Sequence, residues 1–364
     1  MLENFYDKIY IGSGPILLLD AISKSKDGHK ILVIDKSSEI GGAWKTIDIF
    51  GIKNLENAVH YLLPNEKTYR FLERNLKIKL CPPGYKKYFA RRIFFSHFLI
   101  KTNSFFGILI AIIEKKKINF KNFIFNFFNE LKEISSINKS RYPLKGSKCL
   151  INKINFLLLN SEVTINLNEN IKSIKLSKNK STEISTNKRK YYCKEIIISH
   201  GFIPPENMTI NSRKININKK IYCRPSVHIN YANKGKKIFN AKFSQVIFDK
   251  KSVLKYIHEL GQFLEEKNLN ENNFIIVAAL KHNYKNTKNT KTLIIKELKN
   301  YKLIPKNVDF DDFHFYWQDI YLPMIDSSDL YFLERSGENK IKIMETEDLS
   351  KSFSNYSNSW LNLK

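Results

Sequence analysis

The sequence predicts an α/β chain whose first domain is a sheet of parallel strands, and three stretches predict it. Tyr6 to Ile11 is an apolar run with little alternation that meets glycines at once, in "IGSGPILLLDAI". Lys30 to Asp35, "KILVID", is a second such run after a helical interval. "EIIISHG" is a third, again ending in glycine, and is suited to return to the same sheet. Short runs of this kind read as strands buried on both faces, the usual condition of parallel strands. Strand, glycine turn, helix and strand in this order make a βαβ unit of Rossmann-like type, with the length that dinucleotide binding needs.

The remaining elements follow in order. Residues 15–24 are the helix after the glycine turn. From about residue 68 the pattern becomes helical: Phe105, Ile108, Leu109, Ile112 and Ile113 share one face, and Phe120, Phe123, Ile124, Phe127, Phe128 and Leu131 share a second. "PLKGSKCLINKINFLLLN" is a glycine-containing loop and then a helix with Leu150, Ile154, Leu157 and Leu158 inward. Strands follow in "VTINLNENIKSIKLS" and up to "EIIISHG". Residues 208–248 alternate and read as antiparallel strands. Ser252 is expected to cap a helix running to about Lys267. "NFIIVAAL" is a strand and Thr290 to Asn300 a helix. The end of the chain reads as strand, cap and helix.

Composition narrows the classes. With 364 residues, 43% of them hydrophobic and 26% charged, the chain is globular and large enough for two or three subdomains. Its net charge is +26, but Lys, Asn, Ile, Phe and Tyr are all abundant and all have A/T-rich codons. The excess is read as compositional bias, and no specific nucleic-acid binding is expected. Cys81, Cys149, Cys193 and Cys223 show no CxxC spacing, which fits a reducing compartment, and no metal site is expected. The first strand starts too early to leave room for a signal peptide, so a cytoplasmic location is expected. Ile93 to Ile113 has the length of a membrane span, but Lys101 near its centre opposes insertion by roughly 2.5–3.5 kcal/mol. Residues 93–131 are instead read as a pair of amphipathic helices, with peripheral membrane contact as the sharper alternative.

The glycine loop carries the chemistry. Gly12 permits the tight turn and Gly14 the close approach of backbone to a pyrophosphate. Pro15 fits the first helical turn, where a missing N–H costs nothing. The helix N-terminus offers free N–H groups and the positive end of its dipole to phosphates. Leu17 stands where a third glycine would pack helix on strand, and is expected to hold the helix slightly outward. Asp35, 21 residues after Gly14, ends the second strand where an acid takes ribose hydroxyls and disfavours a 2′-phosphate. Gly41 and Gly42 in "SSEIGGAWKT" form a second glycine pair suited to a bulky ligand.

The series "IYIGSGP … ILVIDKSSEIGGAWKT … PLKGSKCLINKI … VTINLNENIKSIKL … EIIISHG" resembles the flavin-containing amine oxidase and protoporphyrinogen oxidase-like group of FAD enzymes, with UDP-galactopyranose mutase as a more distant relative. The likeness is spread over roughly half the chain. It implies an FAD domain split by an inserted α+β substrate domain: FAD-binding parts at 1–80, 143–205 and 336–364, a helical insertion at 81–142, and a substrate domain at 206–335. It further implies that Gly12, Ser13, Gly14 and Pro15 face the pyrophosphate, and that Asp35, with Lys36 beside it, meets the adenosine ribose. Gly41, Gly42, Ala43 and Trp44 fall on the flavin side, and the backbone of Ile171 meets the adenine. Two departures stand out. Leu17 is one. The other is "METEDLSKSF" in place of the family's Gly-Asp pair; there Thr346 and Asp348 can cap a helix, and Glu345 and Glu347 are acids nearby.

Flavin chemistry asks the protein mainly for orientation and electrostatics. Glu56, His60 and Tyr61 in "NLENAVHYLLP" follow the glycine pair and are candidates beside the flavin, with Glu56 pairing to one of the rings. Arg224 and His228 in "CRPSVHINY" fall on one face of a strand and are candidates to receive an anionic substrate. The expected function is an FAD-dependent oxidoreductase taking a hydride from a C–N or C–C bond of a small molecule. The alternatives are a flavin-assisted sugar-nucleotide mutase, which the scarcity of arginine opposes, and a degenerate flavoprotein fold acting as a binding protein.

Overall fold

The computed structural model describes residues 4–81, 86–93, 96–114, 128–129, 131–132, 139–177, 180–199, 202, 204–215, 220–231, 244–261, 274–281, 284–324, 331, 333–335, 337, 340–344, 349–356, 359–360 and 363. The chain begins with β1 (Phe5–Ile11), α1 (Pro15–Lys26) and β2 (Ile31–Ile34), then a hairpin of β3 (Thr46–Ile49) and β4 (Ile52–Glu56). A short helix α2 (Glu66–Arg70) leads to β5 (Lys87–Ile93), β6 (Ser96–Lys101), α3 (Phe105–Glu114) and α4 (Ser147–Leu159). β7 (Thr164–Asn166) precedes β8 (Ile171–Ser177), β9 (Lys180–Thr186) and β10 (Lys190–Ser199). Next come β11 (Asn207–Ile210), β12 (Arg213–Lys214), β13 (Lys220–Tyr231), β14 (Gln245–Phe248), β15 (Leu254–Glu259) and β16 (Phe274–Leu280). The last described elements are α5 (Lys288–Asn300), β17 (Phe313–Met324), β18 (Ile341–Met344) and α6 (Leu349–Tyr356).

The first sheet has a parallel centre in the order β7-β2-β1-β10-β18. The "EIIIS" strand returns to it as expected, with Ile11 opposite Ile198. β10 changes partners along its length. Its first residues pair antiparallel with β9, and its last residues lie parallel between β1 and β18. Both faces are covered, which is why central β2 is apolar throughout. Tyr10, Ile31 and Val33 pack with α1, α4 and the C-terminal residues Phe353 and Trp360. Ile9, Leu32 and Ile34 pack against Ile174, Ile184 and Met208 of β8, β9 and β11. The chain's two ends are joined here. Asp20 of α1 accepts from Trp360 Nε1 at 3.1 Å and from Tyr10 Oη at 2.7 Å.

The second sheet runs β17-β13-β16-β15-β14-β5-β6, antiparallel except where β14 meets β5. One face, with Val227, Ile229, Ile276 and Ala278, packs against Ile294, Ile295 and Leu298 of α5. The opposite face, through Ile275 and Val277, packs on Ile52 and Leu55 of β4. This second contact is the seam between the second sheet and the β3–β4 hairpin, which pairs as a small sheet of its own.

Four local readings are corrected. Residues 87–101 form the hairpin β5–β6 rather than helix. Short apolar runs do not distinguish strand from helix by periodicity alone, and edge pairing with β14 decides this one. Ser252 does not cap a helix. It sits in a turn on Asp249 Oδ1, its Oγ accepts from Leu254 N at 3.1 Å, and β15 begins there. In α3 the inward residues are Ile108 and Ile112, whereas Phe105 and Ile113 are exposed. The strands of 208–248 include two parallel pairings, β11 with β8 and β14 with β5. Phe120 to Phe127 and the acids and caps of 345–348 lie outside the described residues. Among the described residues, no helix is long and apolar enough to cross a membrane.

Candidate functional site

The glycine loop leaves β1 with Gly12 at φ +107°, a conformation that favours glycine. Its N–H donates to Ile34 O at 2.8 Å, tying the turn to β2. A Cβ on Gly12 would lie 3.3 Å from Leu17 Cδ1. Leu17 is 2% exposed and belongs to the core under the turn. It therefore fills the space left by Gly12 and does not reach toward the ligand side. Gly14 is the extended N-cap of α1, followed by Pro15 in the first turn. A Cβ there would meet nothing within 4 Å. The α1 N-terminus, with the first-turn N–H groups that lack intrahelical acceptors, thus opens on free space.

The second glycine pair braces this loop. Gly41 N donates to Ser13 O at 2.8 Å. Gly41 and Gly42 have φ of +116° and +56°, and a Cβ on Gly42 would lie 3.3 Å from Gly14 Cα. Asp35 holds the loop from the other side. Its Oδ2 accepts from Ser13 N at 2.7 Å and Ser13 Oγ at 2.5 Å, and Oδ1 accepts from Ser37 N at 2.8 Å. A carboxylate has about four acceptor positions, so this leaves capacity for a ribose hydroxyl.

A cleft of about 480 Å³ runs from the loop across the ends of β1 and β2. Gly12, Asp35, Lys36, Gly42 and Ile171 line it, five of the residues read from sequence. Phe202, Pro204 and Pro205 close its far wall. Glu169 also lines it and was missed from sequence. Its only signal is position, two residues before Ile171 in "NENI".

On the other side of the glycine pair, Trp44 is buried and stacks on His60, ring centroids 5.1 Å apart. Tyr142 lies parallel to the same indole at 6.4 Å. His60 Nε2 donates to Ala43 O at 2.8 Å, and desolvation lowers its pKa. These rings extend to the seam through Tyr61, 5.7 Å from Tyr142 and 6.2 Å from His258.

Glu56 does not pair with His60 or Tyr61. It is buried, and its carboxylate accepts from Tyr142 Oη at 2.7 Å, Ser147 N at 2.6 Å and Ser147 Oγ at 2.7 Å. Burial raises its pKa against the pull of these donors. Its main-chain carbonyl accepts from His228 Nε2 at 3.0 Å. His228 is fully buried, and desolvation pushes its pKa down to about 4. It is neutral at pH 7 and holds no charge for an anion. Arg224 lies in β13 opposite Ile320; its side chain is outside the described residues.

No protein-family model matches the chain, and neither does any curated protein. Solved structures do. The fold is the amine oxidase and protoporphyrinogen oxidase-like FAD fold. A putrescine oxidase double mutant matches over 99% of both chains, with TM-score 0.65 and 13% identity. A protein assigned as a protoporphyrinogen oxidase from Exiguobacterium sp. 255-15 matches over 100% of both chains, with TM-score 0.64 and 8% identity. A RAB GDI from Plasmodium falciparum matches over 99% of this chain and 97% of its own, with TM-score 0.52 and 13% identity.

Proposed function

We propose that the protein is an FAD-dependent oxidoreductase that takes a hydride from a small organic substrate, an amine or a similar C–N or C–C bond. The observation that carries this reading is the free space at Gly14, in front of the α1 N-terminus and continuous in sequence with a cleft that ends at Asp35 and Ile171. The donor set fits the group: helix N–H groups and Gly14 for the pyrophosphate, Asp35 for the ribose, the Ile171 backbone for the adenine. Bound FAD supplies the two-electron acceptor.

The chain's own residues bind and orient. Ser13 and Asp35 fix the loop before any ligand arrives, so little ordering remains to be done on binding. Trp44 and His60 present a fixed pair of rings on the flavin side, and the Ala43 carbonyl holds the His60 proton on Nε2. Glu56 and His228 join the FAD side to the substrate sheet and set the distance between them. The Arg224 backbone is on the same strand, where its side chain is proposed to meet substrate. The test is the visible spectrum of the purified protein, before and after adding FAD and removing the excess. A bound-flavin spectrum that bleaches anaerobically with an amine supports the reading. A flat spectrum after reconstitution ends it.

A second reading has an observation of its own. The RAB GDI match is to a protein whose name carries no oxidase activity, so this fold alone does not require redox chemistry. On that reading the chain is a binding protein, and it would hold no flavin.

A further inference from the structure

The parallel sheet orders its strand ends along the cleft. β1 ends at the glycine loop, β2 beside it ends at Asp35, and β7 beside β2 leads to Glu169. Glu169 N donates to Asp35 O at 3.0 Å, so the two acids are successive posts on one rim. Neighbouring strands are about 4.8 Å apart. A nucleotide with its phosphate at the loop and its ribose at Asp35 therefore brings its base to Glu169.

Glu169 is 2% exposed, and its carboxylate is held through one oxygen. Oε1 accepts from Thr186 Oγ1 at 2.5 Å and from Tyr191 Oη at 2.9 Å. Oε2 takes no bond from the described residues, and Glu169 lines the cleft. Oε2 is thus left as an accessible acceptor on the cleft wall, free to take a donor from a ligand or from water.

We infer that Glu169 is a base-selecting residue whose Oε2 accepts from the exocyclic amino group of adenine. The assignment rests on the dinucleotide reading above and deepens it. Adenine offers a donor at position 6 where hypoxanthine offers an oxygen, which a carboxylate repels. Asp35 remains the ribose residue. Lys36 lines the same cleft, but as a donor it cannot take an amino hydrogen.

Glu169→Gln makes the test specific. The amide oxygen can still accept from Thr186 and Tyr191, while its NH₂ replaces Oε2 at the cleft. The full chain, freed of any bound flavin, is titrated by calorimetry with ADP and with inosine diphosphate. The expected result is an ADP preference of about tenfold or more, the size of one charged hydrogen bond, which Glu169→Gln removes or reverses. Tyr191→Phe, which leaves Oε2 in place, should retain it. Equal affinity of the wild type for the two diphosphates overturns the assignment, as does an ADP preference that survives Glu169→Gln. If flavin binds in the spectral test while the base preference is absent, only this assignment falls. If neither flavin nor either diphosphate binds, the dinucleotide reading falls and takes the assignment with it.

Discussion

The Glu56 main-chain carbonyl accepts the Nε2–H of His228 at 3.0 Å, and this bond crosses from the β3–β4 hairpin to the second sheet. The same residue's carboxylate holds Tyr142 and the start of α4 at Ser147. Glu56 is thus the point where β4, α4 and β13 are fastened together.

Glu56→Ala should leave the Tyr142 hydroxyl and the Ser147 N–H and Oγ without their buried acceptor. Each buried donor that loses its acceptor costs about 1–3 kcal/mol; the Tyr142 and Ser147 hydroxyls can bond each other, so a loss of about 3 kcal/mol overall is expected. Urea unfolding of the variant gives the value. A change below about 0.5 kcal/mol would show that the fastening is incidental.

Acid should loosen the seam. His228 has its pKa lowered from 6.5 to about 4 by burial, and His258 has its own lowered to about 3. A depressed histidine pKa means that the folded state disfavours the cation. The associated stability is full above pH 6.5 and is lost as pH falls toward 4. The His228 share is about 3 kcal/mol. Glu56 acts in the opposite sense: its raised pKa gives stability at low pH that fades as pH rises through the folded value. Urea midpoints at several pH values for wild type and His228→Gln isolate the histidine, because the variant should show a shallower acid slope. Parallel slopes would mean that His228 does not titrate as described.

Gly12 and Gly14 should separate folding from binding. Gly12→Ala puts a Cβ at φ +107° against Leu17, and a loss of about 1–3 kcal/mol is expected. Gly14→Ala has open space and ordinary φ, so stability should change little while flavin retention drops. Thermal melts and bound-flavin ratios of the two variants check both halves.

Leu17→Gly would restore the missing third glycine, yet it should not improve binding. Leu17 is a core residue, and its removal costs about 2–5 kcal/mol or more through the cavity left behind. A variant that melted like the wild type and held flavin more tightly would contradict this role.

Much of the glycine-loop geometry was legible in sequence because its residues act through backbone. The glycine pairs, Pro15 and Asp35 are set by φ, by a missing N–H and by strand ends, which local spacing reports. Leu17 was marked in sequence as the residue in place of a third glycine, but its packing beside Gly12 was not legible, since sequence does not reveal that Gly12 leaves a space for its side chain. Glu56 was singled out as a candidate beside the flavin and His228 as a candidate to receive an anionic substrate. Their actual partners, Tyr142, Ser147 and each other, are far apart in sequence, and pairing at such distance has no local signature. The hairpin 87–101 was lost for the same reason, its pairing with β14 lying outside any local window.

The partner change along β10 bears on how the molecule is made. β1 cannot pair with β10 until some two hundred residues have been synthesised, and β10 gains its outer neighbour only with β18. Asp20 waits longer still, for Trp360. Contacts of such sequence separation form slowly, because loop closure precedes any gain from pairing. The cleft, though it starts at Ile11, is completed only when the chain has been made as far as Glu206. Until then the early apolar strands are exposed to aggregation.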